Sequence, residues 1–152
     1  MIEVALADLL KKYVTAFKRY DLLNVRQCYQ LPCALHTPDK VAYLSNESDF
    51  EQEFTQIFTV LKHANICEIK ITQASFNPSI NGSIDLSIDW VFLDDKGQVF
   101  TDFSAFYHLL NHEQQFKIIN VVSHELSNSV ELPLSLSSKL LAGLFIHSPA
   151  QS

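Results

Sequence analysis

The 152-residue chain is 47% hydrophobic and 18% charged with only three glycines. It suits one globular domain burying roughly 70% of its unfolded surface, not a fibrous or disordered chain. Eleven Lys plus Arg against seventeen Asp plus Glu leave a formal charge of -6. The basic residues cluster only in pairs such as Lys11-Lys12 and Lys18-Arg19, so no nucleic-acid partner is expected. No apolar run reaches membrane-spanning length, and no basic segment precedes the apolar residues of MIEVALADLLKKY. No membrane partner is therefore expected, and the expected location is cytoplasmic.

Along the first segment Ile2, Leu6, Leu9, Leu10, Tyr13 and Phe17 recur at three- and four-residue steps, with Asp8, Lys11, Lys12, Thr15, Lys18 and Arg19 opposite. This predicts an amphipathic helix. A second, short helix is expected from Leu22 to Tyr29, ending before Pro32, since the residue preceding a proline is pushed out of the helical region. CALHT and KVAYL read as two short strands about the Pro38-Asp39 turn. Ser45 or Asn46 offers an N-cap for a third helix, in which Phe50, Phe54, Ile57, Phe58 and Leu61 repeat at helical spacing.

From Ile66 onward the period changes to two. ICEIKITQASF, SIDLSIDWVFL, VFTDFSAFYHLL and FKIINVVSHEL are predicted as long antiparallel strands, separated by Asn81-Gly82, by Asp94 to Gly97 and by a polar turn at Asn111 to Gln115. The boundaries give a domain over 1–126 and a C-terminal extension over 127–152. In that extension Leu140, Leu141, Leu144 and Phe145 are placed for a short helix packing on the domain or on a second copy. The fold class is α+β, with three N-terminal helices on one face of a curved, mainly antiparallel sheet that encloses a cone, a natural ligand cavity.

Alternation in SIDLSIDWVF places Ile84, Leu86, Ile88, Trp90 and Phe92 toward the helices. The next strand should turn Val99, Thr101, Phe103, Ala105 and Tyr107 the same way. Tyr13, Phe17, Trp90, Phe103 and Tyr107 are the candidate pocket wall; plain core packing is the alternative reading. On the other face the expected register brings Asp89 beside Asp102 and Asp102 opposite His124, an acid-imidazole pair open to a general-base reading but set in a mixed polar and apolar surface that better suits a solvated or homodimer-forming face. His108, His112 and His124 lack metal-ligand spacing. There is no Gly-rich phosphate loop, nucleotide fingerprint or G-x-S-x-G elbow, so no metal or cofactor is expected. Cys28, Cys33 and Cys67 form no C-x-x-C pair and read as small buried hydrophobes.

This layout resembles the nuclear transport factor 2-like superfamily, with its SnoaL-like cyclases, ketosteroid isomerases and dehydratases, across residues 3 to 126. KKYVTAFKRYDLLNVRQCY is similar to the family's first helix and its entry to the second, and FLDDKGQVF to its usual hairpin. The resemblance implies a cystatin-like cone fold. Tyr13 stands where the isomerase tyrosine would stand, but the positions implied for the base and for the second oxyanion acid fall near Thr37 and near Phe106 or Tyr107. None is an acid, so steroid isomerisation by that mechanism is not expected. The Asp-Arg-Asp arrangement of the epoxide-hydrolase members is also missing, because Arg19 and Arg26 lie in or beside the first two helices.

His36 sits one residue from the implied base position and is the candidate base if a bulge turns it inward. If it points outward or hydrogen-bonds locally, Thr37 at the implied position is the inward residue and adds a ligand-binding hydroxyl but no base. Three functions stay open. The first is a small-apolar-molecule-binding domain without strong catalysis, dimeric through the outer sheet face. The second is a SnoaL-like or dehydratase-type enzyme using His36 with Tyr13 or Tyr107, and the third is a protein-interaction module.

Overall fold

The computed structural model describes residues 1–113 and 115–146. Its helical layer is α1 (Ile2–Lys18), α2 (Leu22–Arg26) and α3 (Glu47–His63). Leu6, Leu9, Leu10 and Phe17 of α1 and Phe50, Phe54, Phe58 and Leu61 of α3 are buried, as their spacing demands. Side chains cap the second and third helices: Asp21 accepts from the Asn24 N–H at 3.1 Å, and Asn46 from the Asp49 N–H at 2.8 Å.

The strands are β1 (Tyr29–His36), β2 (Val41–Leu44), β3 (Ile66–Pro78), β4 (Ile84–Asp94), β5 (Val99–His112), β6 (Gln115–His124) and β7 (Leu134–Ser135). They form one sheet in the order β2-β1-β6-β5-β4-β3-β7. Every described neighbour is antiparallel except β1 with β6. The α+β fold with helices on one face of a curved, mostly antiparallel sheet is the one expected. Gly82 and Gly97 supply the positive φ of 86° and 76° that the two expected hairpin turns require. Gln114, in the third turn, lies outside the described residues, and so do residues 147–152 of the extension. No helix among the described residues is long and apolar enough to cross a membrane.

Two elements differ from expectation. α2 stops at Arg26 and the chain is already extended at Tyr29, because the Cys28 carbonyl accepts from the Ile118 N–H at 2.9 Å and so joins the sheet. Pro32 consequently lies inside β1, where the register against β6 shifts between Tyr29 and Ala34, accommodating a residue with no N–H to give. The second difference is at Leu140 to Phe145, where turns replace the expected short helix. Ser137 O accepts from Leu140 N and Leu141 N at 3.1 and 3.2 Å, Gly143 turns the chain at φ 88°, and Phe145 then bridges Ile71.

Arg26 ties three elements together. Its guanidinium grips Glu47 at 2.9 and 2.7 Å, donates to the Tyr29 carbonyl at 2.8 Å and lies 5.5 Å over the Phe50 ring. The entry to β1 is thereby set against the start of α3.

Past residue 126 the chain crosses the outer face of the sheet and runs along β3. β7 pairs with Ser75 and Phe76, Leu136 N donates to Ala74 O at 2.9 Å, and Leu136 and Leu141 are buried. The polar residues beneath are buried too. Ser104 Oγ donates to Asp89 Oδ1 at 2.7 Å, Ser129 Oγ reaches both Asp89 oxygens at 2.7 and 2.8 Å, and Leu132 N donates to Ser75 Oγ at 2.8 Å.

Asp89 is 8% exposed, so Ser129→Ala strips a buried carboxylate of one of its two hydroxyl donors. The expected loss is about 1–3 kcal/mol of unfolding free energy, read from urea denaturation. An unchanged midpoint would show that solvent replaces the serine.

Candidate functional site

β4 turns Ile84, Leu86, Ile88, Trp90 and Phe92 to the helices, and all five are buried. Across the ladder Leu86 faces Tyr107, Ile88 faces Ala105 and Trp90 faces Phe103, so β5 presents its own aromatics to the same side. Val99 is the exception at 58% exposure, because a bulge between Phe92 and Leu93 breaks the alternation at the hairpin.

Between sheet and helices lies a cavity of about 220 Å³. Tyr13, Phe17, Trp90, Phe103 and Tyr107, the five residues expected to form a wall, all border it, as does Thr37. Tyr29 and Tyr107 are buried at its inner end, whereas Thr37 is exposed and Ile57, Thr101, Phe103 and Ser123 are half-buried at its mouth. Interlocked rings keep it open. Tyr13 stacks on Phe17 at 4.6 Å and lies 5.8 Å from Trp90, while Tyr107 meets Tyr13 edge-on at 6.2 Å.

The buried polar groups are at the inner end, while the hydroxyls of Thr37, Thr101 and Ser123 stand at the mouth. Trp90 Nε1–H donates to Tyr107 Oη at 2.9 Å, and Tyr13 interacts in turn with the Tyr107 and Tyr29 phenols. Burial, reinforced by the neighbouring phenols, holds all three tyrosines well above the ordinary range. They are therefore protonated donors at neutral pH. Among the described lining residues there is no carboxylate, imidazole, ammonium or guanidinium.

His36 does not border this cavity. Leu35 and Thr37 do, and strand alternation turns the residue between them to the outer face, where His36 stands level with Val41 and Val122. The Thr37 hydroxyl is engaged in its own turn, accepting from Lys40 N at 3.2 Å. The outer acid-imidazole pair does not form: Asp89 faces Ser104, Asp102 faces Val91, and His124 stands opposite Ser104. In the β4–β5 ladder a shift between Phe92 and Leu93 contributes to setting Asp89 against Ser104, and in the β5–β6 ladder the register, which itself shifts between His108 and Leu109, sets His124 against Ser104. The close pair on that face is instead Asp85 with His108, at 2.8 Å. No group of three His, Cys, Asp or Glu among the described residues is arranged to hold a metal ion.

Sequence reasoning missed Tyr29, Leu35, Phe54, Ile57, Leu61, Val121 and Ser123 as lining residues. For Tyr29 the cause is its assignment to a helix end. Its one available signal was the alternation of Tyr29, Leu31, Cys33 and Leu35, hidden by Pro32.

A helix-covered sheet curled about an aromatic chamber defines a cone-shaped α+β fold. The chain belongs to the family described as NTF2-like protein (DUF6841), whose pattern matches residues 3–126. Among solved structures, it is similar to a candidate ketosteroid isomerase from Shewanella frigidimarina, with a TM-score of 0.65 and 14% identity over 79% of this chain and 94% of that one. An NTF2-like protein with a cystatin-like fold from Novosphingobium aromaticivorans gives 0.66 and 8% identity, covering 82% of each chain. A candidate aromatic ring hydroxylase from the same organism gives 0.63 and 15% identity, covering 93% of this chain and 98% of that one. Among curated proteins, none matches the chain. At these identities the likeness is one of fold.

Burial also pushes the Cys28 and Cys33 thiols up from an ordinary 9.0 to about 11. The folded chain keeps thiol and phenol protons where the unfolded chain loses them. Their stabilisation is full below about pH 9, declines as the thiols' window up to about 11 is crossed, and falls further as the unfolded phenols ionise above about pH 10. Urea midpoints should thus drop steadily from about pH 9 to about pH 11, less steeply in Tyr13→Phe. A midpoint independent of pH over that range would contradict the buried state of these groups.

Proposed function

We propose that the protein binds a small, neutral, mostly apolar molecule with one hydrogen-bond acceptor, performing no acid-base step of its own. The observation that carries this reading is an aromatic chamber whose inner polar groups are protonated phenols and whose described lining holds no group that titrates near neutral pH. Such donors suit a carbonyl or ether oxygen. Size narrows the class further: an apolar cavity of about 150 Å³ in another protein takes benzene, and drug-sized ligands need about 300 Å³ or more. The 220 Å³ chamber therefore suits a single substituted ring.

Titration of Trp90 fluorescence with aromatic ketones tests the reading. Saturable quenching is expected, weakened about three- to tenfold in Tyr13→Phe through loss of one neutral hydrogen bond. His36→Ala should leave the affinity unchanged; loss of binding there would favour the rival reading in which His36 acts on the ligand. Absence of any saturable signal across ketones of one ring would remove the proposal.

A second copy of the chain is the partner we propose for the outer face. The extension covers the β3 and β4 side, while Val41 and Tyr43 on β2 stay 63% and 65% exposed, Val41 level through His36 with Val122 and Phe106 and Tyr43 level through Ala34 with Asn120 and His108. A self-complementary patch of this kind suits a two-fold contact. Light scattering should find a dimer that Tyr43→Asp converts to monomer. A monomeric parent at high micromolar concentration would dispose of it.

A further inference from the structure

The chamber does not end at its mouth. Leu35, Thr37 and Ile57 also border a groove of about 270 Å³, completed by Lys40, Glu53, Gln56 and Val60 between α3 and the β1-β2 turn. Its floor is aliphatic, with Leu35 and Ile57 half-buried and Val60 left 56% exposed on the outer turn of α3. Its rim is an ion pair. Lys40 Nζ lies 3.1 Å from Glu53 Oε1, which ties the turn to the helix and cancels the charge of both groups.

We propose that the ligand is an amphiphile longer than the chamber, with an acceptor-bearing ring against the tyrosines and an unbranched, uncharged alkyl tail leaving past Thr37 and Ile57 into this groove. The proposal rests on the reading of the chamber given above and adds the chemistry of the second half of the molecule. Orientation follows from access to water. The hydroxyls at the mouth, on exposed Thr37 and half-buried Thr101 and Ser123, can be satisfied by solvent, whereas the phenols of Tyr13, Tyr29 and Tyr107 gather at the closed end, so the acceptor is placed there and the apolar remainder trails outward. A charged tail is disfavoured, because the ammonium and the carboxylate on the rim already neutralise each other. An aliphatic tail covers Val60 and lies under the methylene stem of Lys40, as long cationic side chains commonly allow.

The experiment is a titration of the intact protein with acetophenone and its 4-ethyl, 4-butyl and 4-hexyl derivatives, followed by Trp90 fluorescence and by calorimetry. Affinity should rise about two- to fourfold for each added methylene until the groove is filled, then level off. Val60→Asp, at an exposed position that leaves the core intact, should abolish the rise while acetophenone itself binds as before. Equal affinities along the series, with acetophenone bound, would overturn the tail and leave the chamber standing. A rise that persists unchanged in Val60→Asp would mark non-specific partition and overturn it equally. If no member of the series binds, the reading of the chamber falls and the tail falls with it.

Discussion

The period of two along β4 and β5 is the constraint on which the site depends. A strand offers only two ways to face a helical layer, and a shift of one residue exchanges them. With Ile84, Leu86, Ile88 and Trp90 inward, the layer facing α1 and α3 is apolar and continuous with Phe50, Phe54 and Phe58. The opposite choice would bury Asp85 and Asp89 among aromatic rings, at a cost of roughly several kcal/mol for each unpaired carboxylate. That disparity leaves one register for the inner face. The hydrogen bond from Trp90 to Tyr107 then joins the two strands from within the chamber and gives the indole N–H its buried partner.

The chamber is a consequence of shape. Rings that meet edge-on, as Tyr107 meets Tyr13 and Phe17 meets Phe54 and Phe58, cannot slide together to fill the space between them without losing those contacts. The space is lined with donors instead of acids. Its burial suppresses the ionisation of the phenols, so an arrangement that related folds equip with carboxylates is here a set of neutral hydroxyls around a greasy wall. Chemistry that needs a proton carrier at neutral pH finds none among the described lining residues, while the three phenols share two of their protons among themselves and keep one O–H to donate.

The outer face shows the same economy in reverse. Ser75, Ser87, Asp89 and Ser104 would be unremarkable on a solvated sheet, but the chain beyond residue 126 crosses them and supplies Ser129 and the Leu132 N–H as partners. Polar groups beneath a crossing segment are tolerable only when each is hydrogen-bonded, and Asp89 with two serines meets that condition. The cover ends before β6, β1 and β2. Val41 and Tyr43 therefore stay exposed, and Val122 half-buried.

Periodicity alone specified the long elements: the faces of α1 and α3, the four long strands, the inward set on β4 and the five candidate wall residues follow from spacing and alternation, whereas Thr37 rests on the family resemblance. What local pattern left undecided were the places where a distant strand competes for the backbone. Tyr29 became the first residue of β1 because β6 takes the Cys28 carbonyl, and the expected helix at Leu140 to Phe145 gave way because Ile71 of β3 pairs with that stretch. The direction of His36 follows from unbroken alternation between Leu35 and Thr37, whereas the separation of Asp102 from His124 depends on strand registers, shifted beside Leu93 and beside Leu109, that no single strand reveals. Side-chain period is a property of neighbouring residues and can be read from them. Register, closure of the extension and the volume left between rings are properties of pairs far apart in sequence, and those the tertiary structure decided.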